Sequence, residues 1–174
     1  MVTCDLFDVN TATSSSGLDH DYDGILISTS GLSVGTVKFS WYTQGSGSDF
    51  EINLLHYEGT TLTNTYATGT NFSDLPTSQD NAAPMNVSVT FPTNITTTTE
   101  TRFVISSSQY SGTQVIRANT NSTVPSGLAF TYSNDNGASF PTTTSYVPSL
   151  CISSEGGSPS GGTHFPPPPL VVRF

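Results

Sequence analysis

The stretch VKFSWY, residues 37–42, decides the fold class because its side chains alternate between apolar and mostly polar. Successive side chains of a β-strand point to opposite faces, so Val37, Phe39 and Trp41 share one face of a predicted strand. That apolar face has to be buried against another layer of the protein. The same period of two recurs in three further stretches: FEINL at 50–54, MNVSVTF at 85–91 and RFVI at 102–105.

Weaker strand patterns occupy much of the remaining chain, each bounded by Gly, Asn, Asp, Ser or Pro. They cover residues 2–9, 25–29, 60–67, 114–118, 128–133 and 146–152. No window has the i, i+3, i+4, i+7 apolar spacing of an amphipathic helix, and strong helix formers are scarce. We therefore predict an all-β protein, an antiparallel two-sheet β-sandwich of jelly-roll-like type with an extended C-terminal arm.

The composition is rich in hydroxyl groups and poor in basic groups. Of 174 residues, 28 are Thr and 26 are Ser, whereas 4 are Lys or Arg and 13 are Asp or Glu. The net charge of −9 disfavours binding to nucleic-acid phosphates or to an anionic membrane surface. The opening residues, MVTCDLFDVN, lack the basic and apolar regions of a secretory signal. We expect neither nucleic acid nor membrane as a partner.

We predict two parts of the chain, a β-sandwich domain over residues 1–152 and a Gly/Ser/Pro-rich arm over residues 153–174. Within the arm, the Gly/Ser stretch at 156–162 supplies slack and the prolines favour polyproline II. The residues predicted to bind a partner are Pro166, Pro167, Pro168, Pro169, Leu170, Val171, Val172 and Phe174. The expected partner is a neighbouring copy, giving a homo-oligomer such as a trimer, or, under the first of the two functions considered below, a capsid or other virion protein. An arm folded back on its own domain is the alternative.

Residues 85–140 carry a resemblance to a known family. The matching residues are, in chain order, Phe91 and Pro92, Ile95-Thr96, Phe103-Val104-Ile105 and, in a hairpin turn, Ser133, Asp135 and Gly137. This succession resembles the β-sandwich domains called choice-of-anchor R, although Thr98 and Thr101 stand where that pattern has Gly and Tyr. The resemblance implies a β-sandwich of the kind found in phage structural proteins and bacterial surface proteins. It carries over no catalytic residue.

An acidic run, DHDYDG at 19–24, matches the first half of a calcium-binding loop. Its alternate carboxylates, Asp19, Asp21 and Asp23, could converge on a hard cation, and the following Gly permits a sharp turn. The second half of the motif is absent, because Ser30 stands where a bidentate Glu is needed. Calcium is the only cofactor that the sequence leaves open, and a solvated acidic loop is the alternative.

Residues 133–140, SNDNGASF, fit the Asp-box pattern and are similar to the turns of sialidase propellers. In such turns the Asp side chain caps backbone N–H groups and the final aromatic packs beneath it. We therefore predict a structural turn formed by Ser133, Asp135, Gly137 and Phe140, with a sugar site as the alternative. The pattern occurs once, so no propeller built from repeats is predicted.

Three further features bear on chemistry. The string GLSVG at 31–35 matches the nucleophile elbow, but a strand pattern follows where that mechanism needs a helix. Asp49 and Glu51 are two residues apart on a predicted strand and are interpreted as a solvated face, with a glycosidase pair as the alternative. Cys4 and Cys151 form a disulfide or remain free thiols; both stay open. We predict no catalytic residue.

Two functions fit these features. The first is a non-enzymatic structural protein of a virus particle, a phage head-decoration or cement protein or a short fibre component, on the outer surface of the virion. The alternative is an extracellular carbohydrate-binding module or adhesin. Its sugar-stacking platforms would be Tyr42, Tyr57, Tyr66 or Tyr110. A host glycan fits either function as a ligand.

Overall fold

The computed structural model describes residues 3–9, 14–18, 20–44, 49–76, 85–106 and 115–156. In chain order their strands are β1 (Phe7–Val9), β2 (Ser14–Leu18), β3 (Tyr22–Ile27), β4 (Ser33–Gln44), β5 (Glu51–Glu58), β6 (Thr61–Asn71), β7 (Met85–Thr96), β8 (Thr101–Ser106), β9 (Val115–Asn121), β10 (Leu128–Ser133), β11 (Thr142–Thr143), β12 (Val147–Pro148) and β13 (Leu150–Ser153). A 3-10 helix, Phe72–Asp74, follows β6. The described residues include no helix with the length and apolar character needed to cross a membrane.

The strands form two antiparallel sheets. Sheet A has the order β1-β13-β4-β9-β12, with β7 paired to β4 and β2 paired to β9. Sheet B has the order β11-β10-β3-β8-β5-β6. Each of these pairings is antiparallel. The predicted all-β, antiparallel two-sheet architecture is confirmed, and the jelly-roll-like topology stays a prediction.

The core lies between the two sheets. Phe91 of β7 in sheet A stacks on Phe103 of β8 in sheet B, with ring centroids 5.4 Å apart. Val37, Phe39 and Trp41 of β4 are 1%, 2% and 0% exposed. Burial of such side chains stabilises the fold by about 25 cal/mol per Å² of apolar surface removed from water. The alternation predicted for residues 37–42 is therefore confirmed as the core-facing side of β4.

Most strand bounds differ from the predicted ones, and three elements show the physical reasons. Strand β4 is longer than predicted, because one side of it pairs with β7 while its other side pairs first with β13 and then with β9. Strand β2, with the sequence SSSGL, has no apolar alternation and is held by its pairing with β9. The strand predicted at 146–152 is divided, because β12 pairs with β9 and β13 pairs with β4.

Candidate functional site

The turn at residues 133–140 is organised around the carboxylate of Asp135. Asp135 Oδ1 accepts hydrogen bonds from the Ser133 hydroxyl (2.7 Å) and the Ser139 amide (2.9 Å), and Oδ2 accepts one from the Ser139 hydroxyl (2.6 Å). These bonds, the Ser139 hydroxyl foremost, lower the pKa of Asp135 from its ordinary value of 3.8 to about 2. Asn136 and Gly137 take up φ values of 54° and 86°, a left-handed conformation that Asn and Gly tolerate best. The ionised carboxylate therefore stabilises the turn.

Beyond Ser133, the last residue of β10, the turn is part of residues 134–141, which we call the covering loop because they lie over the outer face of sheet B. The Phe140 ring meets Tyr57 of β5 edge-on, with centroids 4.8 Å apart, and the Arg102 guanidinium of β8 lies 5.4 Å from its centre. A Cβ on Gly137 would be 2.6 Å from the Tyr57 hydroxyl. Tyr57 and Arg102 are only 4% and 7% exposed, although strand alternation directs them away from the core.

Arg102 is a buried charge beneath the covering loop. Its Nη1 donates to the carbonyls of Gly59 (2.8 Å) and Glu100 (3.1 Å), and its Nη2 lies 2.8 Å from the Glu100 carboxylate. The sequence prediction placed Arg102 at the start of a strand and missed this role. The available signal was a charged residue within an otherwise apolar strand, because such a residue has to be paired when it is covered. We interpret Arg102 as an anchor for the loop.

The acidic run predicted as a calcium loop lies partly inside the described residues. Asp23 is 0% exposed; its Oδ1 lies 2.7 Å from His20 Nδ1 and its Oδ2 accepts a bond from the His20 amide. Asp21 accepts a hydrogen bond from the Asn136 amide in the covering loop (3.2 Å). Asp19 lies outside the described residues. Within those ranges no three His, Cys, Asp or Glu side chains converge as a metal site would require, and calcium stays a prediction.

The nucleophile-elbow string GLSVG and the Asp49/Glu51 pair are the two candidates for hydrolytic chemistry, and both include residues with structural contacts. Ser33 begins strand β4, and its hydroxyl accepts a hydrogen bond from the Asn94 amide (2.9 Å). A Cβ on Gly35 would collide with the backbone of Gly156, so the last glycine of GLSVG serves a close chain approach. Asp49 lies just before β5, where hydrogen bonds from the Ser73 hydroxyl and amide lower its pKa. Ser33, Gly35 and Asp49 therefore each have a structural contact, and Glu51 is exposed on β5.

A cluster that the sequence prediction missed links β5 to the start of β8 and the turn before it. His56 is 5% exposed, and its Nε2 lies 2.8 Å from Glu58 Oε1. The hydroxyls of Thr98 (2.6 Å) and Thr101 (2.8 Å) both donate to the same carboxylate. Partial burial opposes ionisation of Glu58, but the bonds from Thr98, His56 and Thr101 prevail and lower its pKa. Because both hydroxyls donate to Glu58, the arrangement does not activate either as a nucleophile through histidine.

The aromatic residues considered as sugar platforms are mostly covered. Tyr42 and Tyr57 are 1% and 4% exposed, so the expectation that they stack on sugars from the surface is wrong. Tyr42 follows Trp41 on β4, and Tyr57 lies under the covering loop. Tyr66 is half-buried and its ring packs on Phe91, 4.7 Å between centroids. Tyr110 lies outside the described residues.

The beginning and end of the domain are joined on sheet A. Cys4 and Cys151 form a disulfide, with their Cα atoms 5.1 Å apart, which decides the alternative left open by the sequence. The Asp5 carboxylate accepts hydrogen bonds from the Ser154 amide (2.8 Å) and hydroxyl. These bonds, the hydroxyl foremost, lower the pKa of Asp5 from 3.8 to about 2. The domain is thereby closed beside the predicted boundary at residue 152.

The last described residues lie beside strand β7. Thr36 of β4 donates its hydroxyl to the Glu155 carbonyl (2.7 Å), and the Asn94 amide of β7 donates to the Ser154 carbonyl (2.9 Å). Residues 153–156 are therefore bound to sheet A, and the segment that follows starts next to β7. The predicted partner-binding residues, Pro166–Pro169, Leu170, Val171, Val172 and Phe174, lie outside the described residues.

Comparisons of the chain with protein-family models, with curated proteins and with solved structures gave no match. The resemblance to choice-of-anchor R domains therefore stays a prediction from the residues that carry it.

Proposed function

We propose that this chain is a non-enzymatic structural protein of a virus particle, a phage head-decoration or cement protein or a short fibre component. The observation that carries the proposal is the join between sandwich and arm. The described residues end at Gly156, beside the edge strand β7, and the sequence that follows is rich in Gly, Ser and Pro and contains the apolar run 170–172. Such a composition suits a linker that carries a binding segment to other proteins of a lattice.

Two properties support a place on the outer surface of the particle. Ser and Thr make up 54 of 174 residues and the net charge is −9, which gives a hydrated surface that resists non-specific association. The Cys4–Cys151 disulfide persists best in oxidising surroundings. A virion released from its host meets such surroundings. The burial of Tyr42 and Tyr57 leaves the carbohydrate-binding alternative with less support.

The absence of enzymatic activity is part of the proposal. The hydroxyl of Ser33, the carboxylate of Asp49 and the His56–Glu58 pair each make hydrogen bonds that stabilise the fold. We expect no hydrolysis of ester, peptide or glycoside substrates. Turnover that disappears in Ser33→Ala would overturn this part of the proposal.

The test compares the full chain with a chain that ends at Gly156. The full chain should sediment with virus-sized particles from its natural source, whereas the shortened chain should stay in the supernatant with its β-sheet circular dichroism unchanged. A control in which Gly/Ser residues replace residues 166–174 keeps the length of the arm and should also fail to bind. A full chain that remains a soluble protomer of 18.4 kDa would contradict the proposal.

A further inference from the structure

Strand β7 offers a regular and uncharged edge. From Met85 to Thr90 it pairs one to one with residues 41–36 of β4, and within the described part of the chain no strand pairs with its other side. No Asp, Glu, Lys or Arg occurs from residue 81 to 99. Natural proteins usually protect such an edge with charges, prolines or bulges. The segment Met85–Thr90 has none of these.

Protection begins only beyond Thr90. The register shifts between Val34 and Thr36 of β4, and Pro92 follows on β7. Proline lacks the N–H that a further strand would need as a donor. The open edge is therefore six residues long, Met85–Thr90.

The second long edge strand, β6, has a shorter stretch of regular register than β7. Its register against β5 shifts between Ile52 and Asn53 and again between His56 and Tyr57. Only residues 64–67 of β6 lie in regular register between the two shifts. Bulges of this kind twist an edge away from a further strand. Of these two long edges, β7 is the better receptor.

The two faces of the open edge differ in polarity. Val87 and Val89 are 4% and 7% exposed and face the core. Asn86, Ser88 and Thr90 are exposed on the outer face. A strand added here needs apolar side chains at alternate positions on the core side and tolerates polar ones between them.

The arm contains a segment with this pattern. In LVVRF, residues 170–174, the apolar side chains of Leu170, Val172 and Phe174 share one face of a strand. Val171 and Arg173 share the other face, where Arg173 would bring a positive charge to an acidic protein. This five-residue segment is also short enough to pair along the six-residue edge.

Resting on the structural role proposed above, we propose that residues 170–174 of a neighbouring copy add as a strand to the Met85–Thr90 edge of β7. Main-chain hydrogen bonds to the free edge hold the segment, and the alternate apolar side chains set its register. Leu170, Val172 and Phe174 extend the apolar row of Val87 and Val89. The contact links each copy to the next and makes the arm the connector of a homo-oligomer.

The length of the spacer favours a neighbouring copy over the same one. A return to an adjacent antiparallel strand takes about two to five residues. Residues 157–169 between Gly156 and the segment can span at most about 45 Å, and a run of four prolines would span about 12 Å at the polyproline II rise. Such a spacer exceeds what a return to the same β7 requires and suits a bridge to another molecule.

A matched pair of full-chain variants tests the face assignment. Val172→Asp places a charge on the core-facing side of the added strand, whereas Val171→Asp makes the same change on the solvent side. By light scattering after gel filtration, Val172→Asp should lose the oligomer and elute at the protomer mass of 18.4 kDa, while Val171→Asp should retain it. Circular dichroism should be unchanged in both. Loss of the oligomer to the same extent in both variants, or in neither variant, would overturn the inference.

Pairs of introduced cysteines test which strand receives the segment and whether that strand belongs to another copy of the chain. In the full chain, Val171→Cys combined with Asn86→Cys, Ser88→Cys or Thr90→Cys in turn should give intermolecular cross-links on a non-reducing gel in at least one register. Thr65→Cys with Val171→Cys, on the edge strand β6, is the control and should give none. Cross-links within one chain would overturn the neighbouring copy as the source of the strand. Particle binding that depends on the arm without any cross-link to β7 would overturn the inference and leave the structural role standing.

Discussion

Each sheet has a segment bound to it outside its central strands, here called its cover, and the two covers are held in different ways. On sheet A, the Cys4–Cys151 disulfide joins residues 3–6 to β13, and Asp5 accepts a hydrogen bond from the Ser154 amide. On sheet B, the covering loop is held by the contact of Phe140 with Arg102 and Tyr57. Each cover includes an aspartate, Asp5 or Asp135, whose pKa is lowered to about 2 by hydrogen bonds from serines. The two covers therefore have similar hydrogen bonds to an aspartate, but only the cover of sheet A is also held by a disulfide.

This difference follows from how each segment is tethered. The covering loop is fixed at both ends, by β10 and by β11, and it has an aromatic ring to bury. Residues 3–6 precede β1, and Thr3 and Asp5 are exposed. Ordering these residues costs conformational entropy. The disulfide offsets that cost where apolar burial is small.

The largest expected effect comes from removing the disulfide. Cys4→Ala with Cys151→Ala should lower the free energy of unfolding by about 2–5 kcal/mol, because the bridge restricts the unfolded chain. Urea titration followed by the fluorescence of the single Trp41 measures the change. Reductant should bring the wild type to the same stability and leave the variant unchanged. A variant as stable as the wild type would show that the sheet A cover is held without its bridge.

A smaller effect is expected on sheet B. Phe140→Ala should cost about 1–2 kcal/mol, less than a fully buried Phe, because Phe140 is only half-buried. Phe140→Leu keeps much of the apolar area and should cost less than the alanine variant. The same urea titration serves for both. If Phe140→Ala lowered the free energy of unfolding as much as the removal of the disulfide does, the expected difference between the two covers would be wrong.

Acid should weaken both covers together. The pKa values of Asp5 and Asp135 are lowered from 3.8 to about 2, so their ionised forms stabilise the folded state above about pH 4 and this contribution is lost as the pH falls towards 2. The effect is small because both groups are solvent-exposed. Tm measured from pH 6 to pH 2 should fall less steeply in Asp5→Asn and Asp135→Asn. Equal slopes in the wild type and both variants would contradict this assignment.

The smallest expected effect concerns calcium and sheet B alone. Asp21 of the acidic run accepts a bond from Asn136 in the covering loop. If Asp19, Asp21 and Asp23 bind calcium, chelator should lower Tm by an amount that grows with the free calcium previously present. The Cys4→Ala, Cys151→Ala variant should show the same decrease, since its change is on sheet A. Identical melting curves with and without chelator would dispose of the calcium prediction.

The sequence predicts the strands that bury one face, because a period of two reports directly which side is apolar. In strand β7 the buried residues Val87, Val89 and Phe91 alternate with exposed ones, and Val37, Phe39 and Trp41 of β4 face the core as expected. Strand β2 is held by a partner about a hundred residues away, and its Ser and Gly side chains give no period to detect. Pairing of that kind has no local signal.

The contacts around the candidate sites were harder to predict. The turn residues Ser133, Asp135 and Gly137 are local, so their mutual hydrogen bonds could be anticipated from spacing. The burial of Tyr57 and Arg102 depends on a loop that arrives from another part of the chain. The disulfide depends in the same way on β1 meeting β13. Proximity created by sheet topology is the information that a single sequence does not display.

The pairing of β1 with β13 also bears on how the protein is made. Strand β1 is the first of the described strands to be synthesised, and its partner is the last. Strand β3 likewise pairs with β8 and β10, which are synthesised much later, so its two pairings in sheet B form only after both have been made. Long-range pairings contribute only after the intervening chain has been ordered. A nascent chain that stops short of Leu150 lacks a strand of sheet A, so the sandwich is completed only once nearly all of it has left the ribosome.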